Sequence, residues 1–207
     1  YNVAVLKMIK KSSRDLIGYG KKGKKISWPN NAKLALQIVL NYEEGGENSV
    51  LNGDKFSETF LSEIIGAKAI KGRHISMESI YEYGSKVGFW RLDRLFKEKK
   101  IPVTIFGVGL ALDQNPEVCE AIKKGDYEVA AHGYRWIDYQ NIKKSVEKKH
   151  MHQAIKTIKN IFGSRPLGWY TGRCSPNTRD LVFDDGGFLY DSDSYSDDLP
   201  YWEYRDK

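Results

Sequence analysis

Cysteine is scarce: Cys119 and Cys174 are the only two in 207 residues. A disulfide-built scaffold is therefore excluded, and the pair lacks zinc-ligand spacing. No apolar run approaches the roughly 18 residues that a membrane span requires. The opening segment "YNVAVLKMIK" is too short and too interrupted by lysine to serve as a leader. Internal repeats and low-complexity tracts are also missing. These absences leave one globular domain with no membrane partner, and the cysteine usage makes a cytoplasmic setting the default expectation.

What is present fits that class. Hydrophobic residues make up 41% and charged residues 29% of the chain, ordinary globular values. The net charge of +6 comes largely from lysine-rich patches at Lys21 to Lys25, Lys97 to Lys100 and Lys143 to Lys149. No aromatic stacking platform accompanies them, so they read as solvated faces and no nucleic-acid partner is expected.

The pattern along the chain is strand, helix, strand. Residues 1–32 read as a basic N-terminal arm and 33–207 as a single α/β domain. "KLALQIVLNY" (33–42) is a strand ended by the glycine turn of "EEGGEN". A long excursion then includes one amphipathic piece, "SETFLSEIIGA". Apolar residues at helical spacing follow between Glu78 and Lys99, where Gly84 and Gly88 would permit close approach of packed elements. "IPVTIFGVG" (101–109), "YEVAAHG", "LGWYTG" and "FLYDSDS" are further strands. "PEVCEAIKKG", residues 142–162 and "PNTRDLVFDDGG" are helices. Such alternation means βα units around a mainly parallel sheet or barrel.

Polar residues gather just past the C-terminal ends of these strands. Asn41, Glu43 and Glu44 follow the first, His132 the third, Thr171 and Arg173 the fourth, and Asp191, Asp193 and Asp197 the fifth. That edge is where α/β sheets and barrels bind ligands and do chemistry. Singly, each feature is ordinary: a Glu pair in a loop is commonly solvated, and a lone His commonly caps or packs. His150 and His152, two apart on a helix, read as surface residues, and His74 is given no role.

In this order the motifs resemble the polysaccharide deacetylase superfamily. "NYEEGGE" stands where that family has an Asp-Asp pair, "HGYRW" where it has His-x-x-x-His, and "WYTGRCSPNT" where it has an Arg-containing motif. "VLNYEEGGENSVLNGD", "MESIYEYGSKVGFWRL", "RPLGWYTGRCSPNTR" and "FLYDSDSYSDDLPYW" resemble the metal-independent allantoinase branch of urate breakdown. The resemblance implies a distorted (β/α) barrel of the NodB-like type. Relatives of this branch continue beyond "DDLPYW", so it also implies a barrel C-terminally incomplete in this chain, lacking its last strands.

Two departures shape the chemistry. Glu43 and Glu44 replace the family's aspartates, and Trp136 replaces its second histidine. An indole has an N–H donor but no lone pair for a metal. Any divalent metal such as zinc would have Glu44 and His132 as its ligands, too few for tight binding, so no cofactor is expected. The resemblance therefore implies a hydrolase of non-peptide carbon–nitrogen bonds, opening a small cyclic amide, allantoin to allantoate, without a tightly held metal. One of Glu43 and Glu44 is the base, with Glu43 preferred by alignment, and mutual repulsion would raise the pKa of one of the two. His132 donates or shuttles a proton, and Arg173 stabilises negative charge or clamps a carbonyl. Trp136 and Tyr170 are candidate flat walls for the ring, with Asn41 and Glu78 as further substrate-binding candidates. The alternatives are a metal-dependent deacetylase of peptidoglycan or another N-acetylated glycan, and an inactive truncated paralogue. Relatives of this branch imply a homo-oligomer.

Overall fold

The computed structural model describes residues 14–204. The segment "YNVAVLKMIK" lies outside the described residues. Two compact units are separated, Tyr1–Leu36 and Gln37–Lys207. In the first, the described residues include turns and one short 3-10 helix, Pro29–Asn31. Asp15 accepts hydrogen bonds from the Ile17 and Gly18 N–H groups, and Lys24 lies over the Tyr19 ring. The boundary falls at Gln37, slightly later than the one expected at Lys33, and the first strand is correspondingly shorter. Leu34 and Leu36 are exposed, so the apolar run that suggested a strand from residue 33 is not buried there.

The second unit carries five strands: β1 (Val39–Tyr42), β2 (Thr104–Gly107), β3 (Glu128–Ala131), β4 (Gly168–Trp169) and β5 (Tyr190–Asp191). Every neighbouring pair is parallel, and spatial order follows chain order. Sequential parallel order is the winding of a (β/α) barrel, as expected for the NodB-like type, not of a doubly wound sheet. β2 is buried along its whole length, with Ile105 and the following Val108 fully inaccessible. That is why its sequence is continuously apolar rather than alternating.

The helices are α1 (Ile75–Tyr83), α2 (Phe89–Lys99), α3 (Gly109–Gln114), α4 (Pro116–Lys124), α5 (Lys144–Phe162) and α6 (Thr178–Asp185). α4 shows how directly sequence sets an element. Asn115 caps it by accepting from the Val118 N–H, Pro116 opens it, Glu117 sits in its first turn, and Lys123 and Lys124 in its last. Its buried face, Val118 and Ile122, joins Leu112, Met151, Ala154 and Ile158 in the core. Each such large aliphatic contributes about 1.5–3 kcal/mol on burial.

Three local expectations change. Strand β2 stops at Gly107, and α3 begins at once. The first free amides of α3, Gly109 and Leu110, donate to the Gly133 and Tyr134 carbonyls, so a strand ending becomes a helix cap. The amphipathic piece at 57–67 is a run of turns with Leu61 in the left-handed region (φ 73°) and Ile64 and Ile65 exposed. His150 is half-buried instead of superficial, bonded at 2.9 Å to the Tyr139 hydroxyl. Burial, with the charges of Arg135 and Lys149 adding, holds its pKa below the ordinary value. Among the described residues no helix is long and apolar enough to cross a membrane.

Candidate active site

Register places the site. Tyr42 pairs with Gly107, Gly107 with Ala131, Ala131 with Trp169, and Trp169 with Asp191. The next residues on three of these strands are Glu43, His132 and Tyr170. β1 and β3 flank β2, so Glu43 and His132 emerge about two strand spacings, roughly 10 Å, apart. Their side chains close that distance: Nε2 of His132 lies 2.9 Å from Oε1 of Glu43.

The other imidazole nitrogen fixes the proton arrangement. Nδ1 lies 2.7 Å from the Tyr170 carbonyl oxygen. A carbonyl only accepts, so Nδ1 carries a hydrogen and donates it. The hydrogen between Nε2 and Oε1 then sits on one atom or the other, which is the arrangement proton transfer needs. The ring is buried and stacks on the Tyr170 ring, with centroids 4.9 Å apart. Asn41 completes the alignment, its side-chain amide donating to Oε1 of Glu43 at 3.1 Å. Its contact is therefore to the carboxylate, a positioning role beside the substrate-binding one expected.

The "HGYRW" loop is held from both sides. α3 takes the Gly133 and Tyr134 carbonyls. Arg135 donates to the Gly46 and Glu47 carbonyls and pairs with Asp54 at 2.5 Å, and the Trp136 N–H also donates to Gly46. Gly46 has no room for a side chain, since a Cβ there would overlap Val108. The β1 and β3 loops are thus locked together beside the Glu43–His132 contact.

Glu44 has a different task. Its Oε2 accepts the N–H of Glu43 at 3.0 Å, and its carboxyl lies so close to Gly84 that a Cβ there would collide with it. Gly84 opens a π-helical turn (Gly84–Gly88) joining α1 to α2, and such bulges recur at functional sites. Burial first, then the charges of Glu43 and Glu47, pushes the Glu44 carboxyl above its ordinary value of 4.5. Repulsion was the cause expected from sequence; burial outweighs it. A raised folded-state value means the folded chain holds this proton more tightly than the unfolded one. The resulting penalty is absent below the ordinary value and grows as pH rises through the folded one. Glu44→Gln should therefore melt a few degrees above the parent at about pH 8, with the difference gone at about pH 4. Thermal denaturation at the two pH values checks this, and an equal difference at both would contradict it.

Arg173, the candidate for stabilising negative charge, pairs with a carboxylate distant in sequence. Its partner is Glu58, at 3.1 Å. Burial would raise the Glu58 carboxyl, but the Phe60 N–H, the Asn48 amide, the Thr59 N–H and Arg173 together hold it below the ordinary value. The guanidinium lies over the Trp136 ring, 4.6 Å from its centroid, with Phe60 at 5.9 Å. Trp136 is only 7% exposed and packs on Phe60 and Tyr81. It is a core residue and the floor beneath Arg173 at once. Tyr170, against both His132 and Phe106, meets the Tyr195 hydroxyl at 2.9 Å.

Glu78 stands apart. It sits in the first turn of α1, and Arg73 grips its carboxylate with two nitrogens. No described contact joins it to Glu43 or His132, because the Arg73 fork occupies the carboxylate. His74 caps that helix, accepting from the Met77 N–H. Glu58, Arg135 and Asp54 were not singled out from sequence. Arg135 is visible inside "HGYRW", but the Glu58–Arg173 pairing spans 115 positions and has no local signal.

A divalent metal does not fit these donors. His132 Nε2 faces Glu43, Glu44 is turned to the Glu43 amide, and Trp136 offers no lone pair. Among the described residues no three His, Cys, Asp or Glu side chains gather as a ligand set.

The chain resembles known proteins over most of its length. It is 43% identical over 201 residues to a Schizosaccharomyces pombe protein provisionally named a polysaccharide deacetylase, covering 92% of this chain and 62% of that one. The crystal structure of PuuE allantoinase is 53% identical with a TM-score of 0.89, covering 94% of this chain and 65% of that one. A Pseudomonas aeruginosa PAO1 structure, also provisionally named a polysaccharide deacetylase, is 55% identical with a TM-score of 0.88, covering 93% and 64%. The chain thus spans just under two-thirds of the length of these relatives. The polysaccharide deacetylase family model matches residues 74–184, just over half of the 207. The chain belongs to the polysaccharide deacetylase family.

Proposed function

We propose that the protein is a hydrolase that opens a cyclic amide, allantoin to allantoate, with Glu43 and His132 handling the protons and no tightly bound metal. The observation that carries this reading is the alignment of the Glu43 carboxylate, the His132 imidazole and the Tyr170 carbonyl. Likeness to PuuE allantoinase, at 53% identity, supports the substrate class.

Glu43 takes a proton from water, whose oxygen bonds to the ring carbonyl carbon. The charge that develops on the carbonyl oxygen is stabilised by the Arg173 guanidinium, itself held flat by Trp136 and anchored by Glu58. As the ring C–N bond breaks, His132 gives its Nε2 proton to the departing nitrogen. The proton on Glu43 returns to His132 across their 2.9 Å contact. One water is consumed, its hydroxyl on carbon and its hydrogen on nitrogen. The reading takes a small-molecule substrate, a cytoplasmic setting and a self-associating chain.

A second reading is metal-dependent deacetylation of an N-acetylated glycan. The provisional names of the two relatives at 43% and 55% identity favour it. The donor set speaks against it, because a metal would need a ligand where Trp136 stands. A product assay by NMR on allantoin, simpler hydantoins and N-acetylated sugar oligomers separates the two. Ring opening of allantoin with intact N-acetyl groups is the expected outcome. Acetate release only upon zinc addition would replace the first reading with the second, and no turnover of any substrate would leave the inactive-paralogue reading.

A further inference from the structure

One peptide group joins His132 to a buried carboxylate that the proposed reaction does not use. The Tyr170 carbonyl oxygen accepts the His132 Nδ1–H at 2.7 Å. The N–H of the same peptide unit, on Thr171, donates at 2.8 Å to Oδ1 of Asp193. The Gly172 N–H donates to the same oxygen, also at 2.8 Å. Asp193 is 8% exposed, and its second oxygen, Oδ2, is buried with no hydrogen-bond partner among the described residues. Both N–H donors reach the same oxygen, so the Asp193 side chain serves this loop as an acceptor. A buried acceptor left without a partner carries a cost and calls for an explanation.

Peptide resonance supplies one. A negative charge at the N–H end of an amide draws its hydrogen and pushes electron density onto its carbonyl oxygen. Hydrogen bonds chained through such a group strengthen one another, by roughly 10–30% per bond. The stronger the Tyr170 carbonyl is as an acceptor, the more firmly Nδ1 keeps its hydrogen and the more density reaches Nε2, which faces Glu43. We propose that Asp193 is a positioning residue for His132, acting through the Tyr170–Thr171 peptide bond to fix the imidazole tautomer and strengthen Nε2 for proton transfer. The role as stated for catalysis rests on the proposed proton handling at His132; the electronic coupling itself does not.

The unpaired Oδ2 fits this arrangement. A partner there would drain charge from the carboxylate and weaken its effect on the peptide. Register explains why the link can form: Trp169 pairs with Asp191, so the residues just past β4 lie beside those just past β5. Asp193 then reaches the Thr171 amide, while the Trp169 indole N–H occupies the Thr171 hydroxyl at 2.7 Å.

The test compares Asp193→Asn with Glu147→Gln. Asn keeps an acceptor oxygen for both amides but removes the charge. Glu147 holds the same loop through Ser175 and Thr178 without touching the Tyr170–Thr171 peptide. The first readout is the Nδ1–H proton resonance of His132 by NMR, which needs no substrate. Asp193→Asn should move it upfield, toward a weaker hydrogen bond, while Glu147→Gln leaves it in place. The second is hydrolysis, where Asp193→Asn should lower kcat about tenfold with KM little changed. An unmoved resonance in Asp193→Asn, or an equal shift in both variants, overturns the proposal. Absence of any cyclic-amide turnover in the parent would sink the functional reading alone, since the resonance test stands without it.

Discussion

Glu43→Gln should reduce cyclic-amide hydrolysis by about 10²–10⁴ while leaving the fold intact. Glutamine matches the carboxylate in shape, and its amide can still meet His132 and Asn41. What it cannot do is take a proton from water or pass one across the 2.9 Å contact to Nε2. The parallel change in Glu44 should cost far less activity, because that side chain faces the Glu43 amide and Gly84, not the imidazole. The contrast is the informative part. Adjacent, chemically identical carboxylates are separated in role by which way their side chains turn. Steady-state kinetics on both variants decide it, and equal losses would place the base elsewhere.

The second large effect is on stability. Trp136 is 7% exposed, packed by Phe60 at 5.4 Å and Tyr81 at 6.0 Å, with the Arg173 guanidinium over its face. Trp136→Ala removes a large buried aromatic from a site that cannot fully collapse, since Arg135 and the Gly46 carbonyl pin the surrounding loop. The expected loss is about 3–5 kcal/mol. That corresponds to a melting temperature lower by on the order of 10 °C. Trp136→Phe should recover much of the stability but less of the turnover, because a smaller ring is a poorer platform for the guanidinium. Calorimetry with parallel kinetics separates the two contributions. A Trp136→Ala variant that melts like the parent would show that the indole is not part of the core.

The alternation of strands and helices was legible because each element carries its own local signal. Pro116, Glu117 and the terminal lysines announce α4, and the unbroken apolar run announces β2. The strand-end rule also placed Glu43 and His132 on one rim, since it depends only on where apolar runs stop. Contacts across the chain were less legible. Nothing near residue 58 signals that its carboxylate will meet Arg173, and nothing near residue 84 signals that a glycine there makes room for Glu44. Glu78 looked like a site residue because it opens a helix in a matching motif; Arg73, five positions earlier, takes its carboxylate instead. The strand expected over 101–109 ran into the start of α3 and left the helix itself without a local signal, because its caps are carbonyls from the β3 loop, which no local window contains.

Proton handling by Glu43 and His132, without a metal, is most directly tested by turnover of allantoin after exhaustive chelation, with metal content measured on the same sample. Undiminished hydrolysis in metal-free protein, abolished by Glu43→Gln, is the expected result. Activity that disappears on chelation and returns in proportion to added zinc would contradict it.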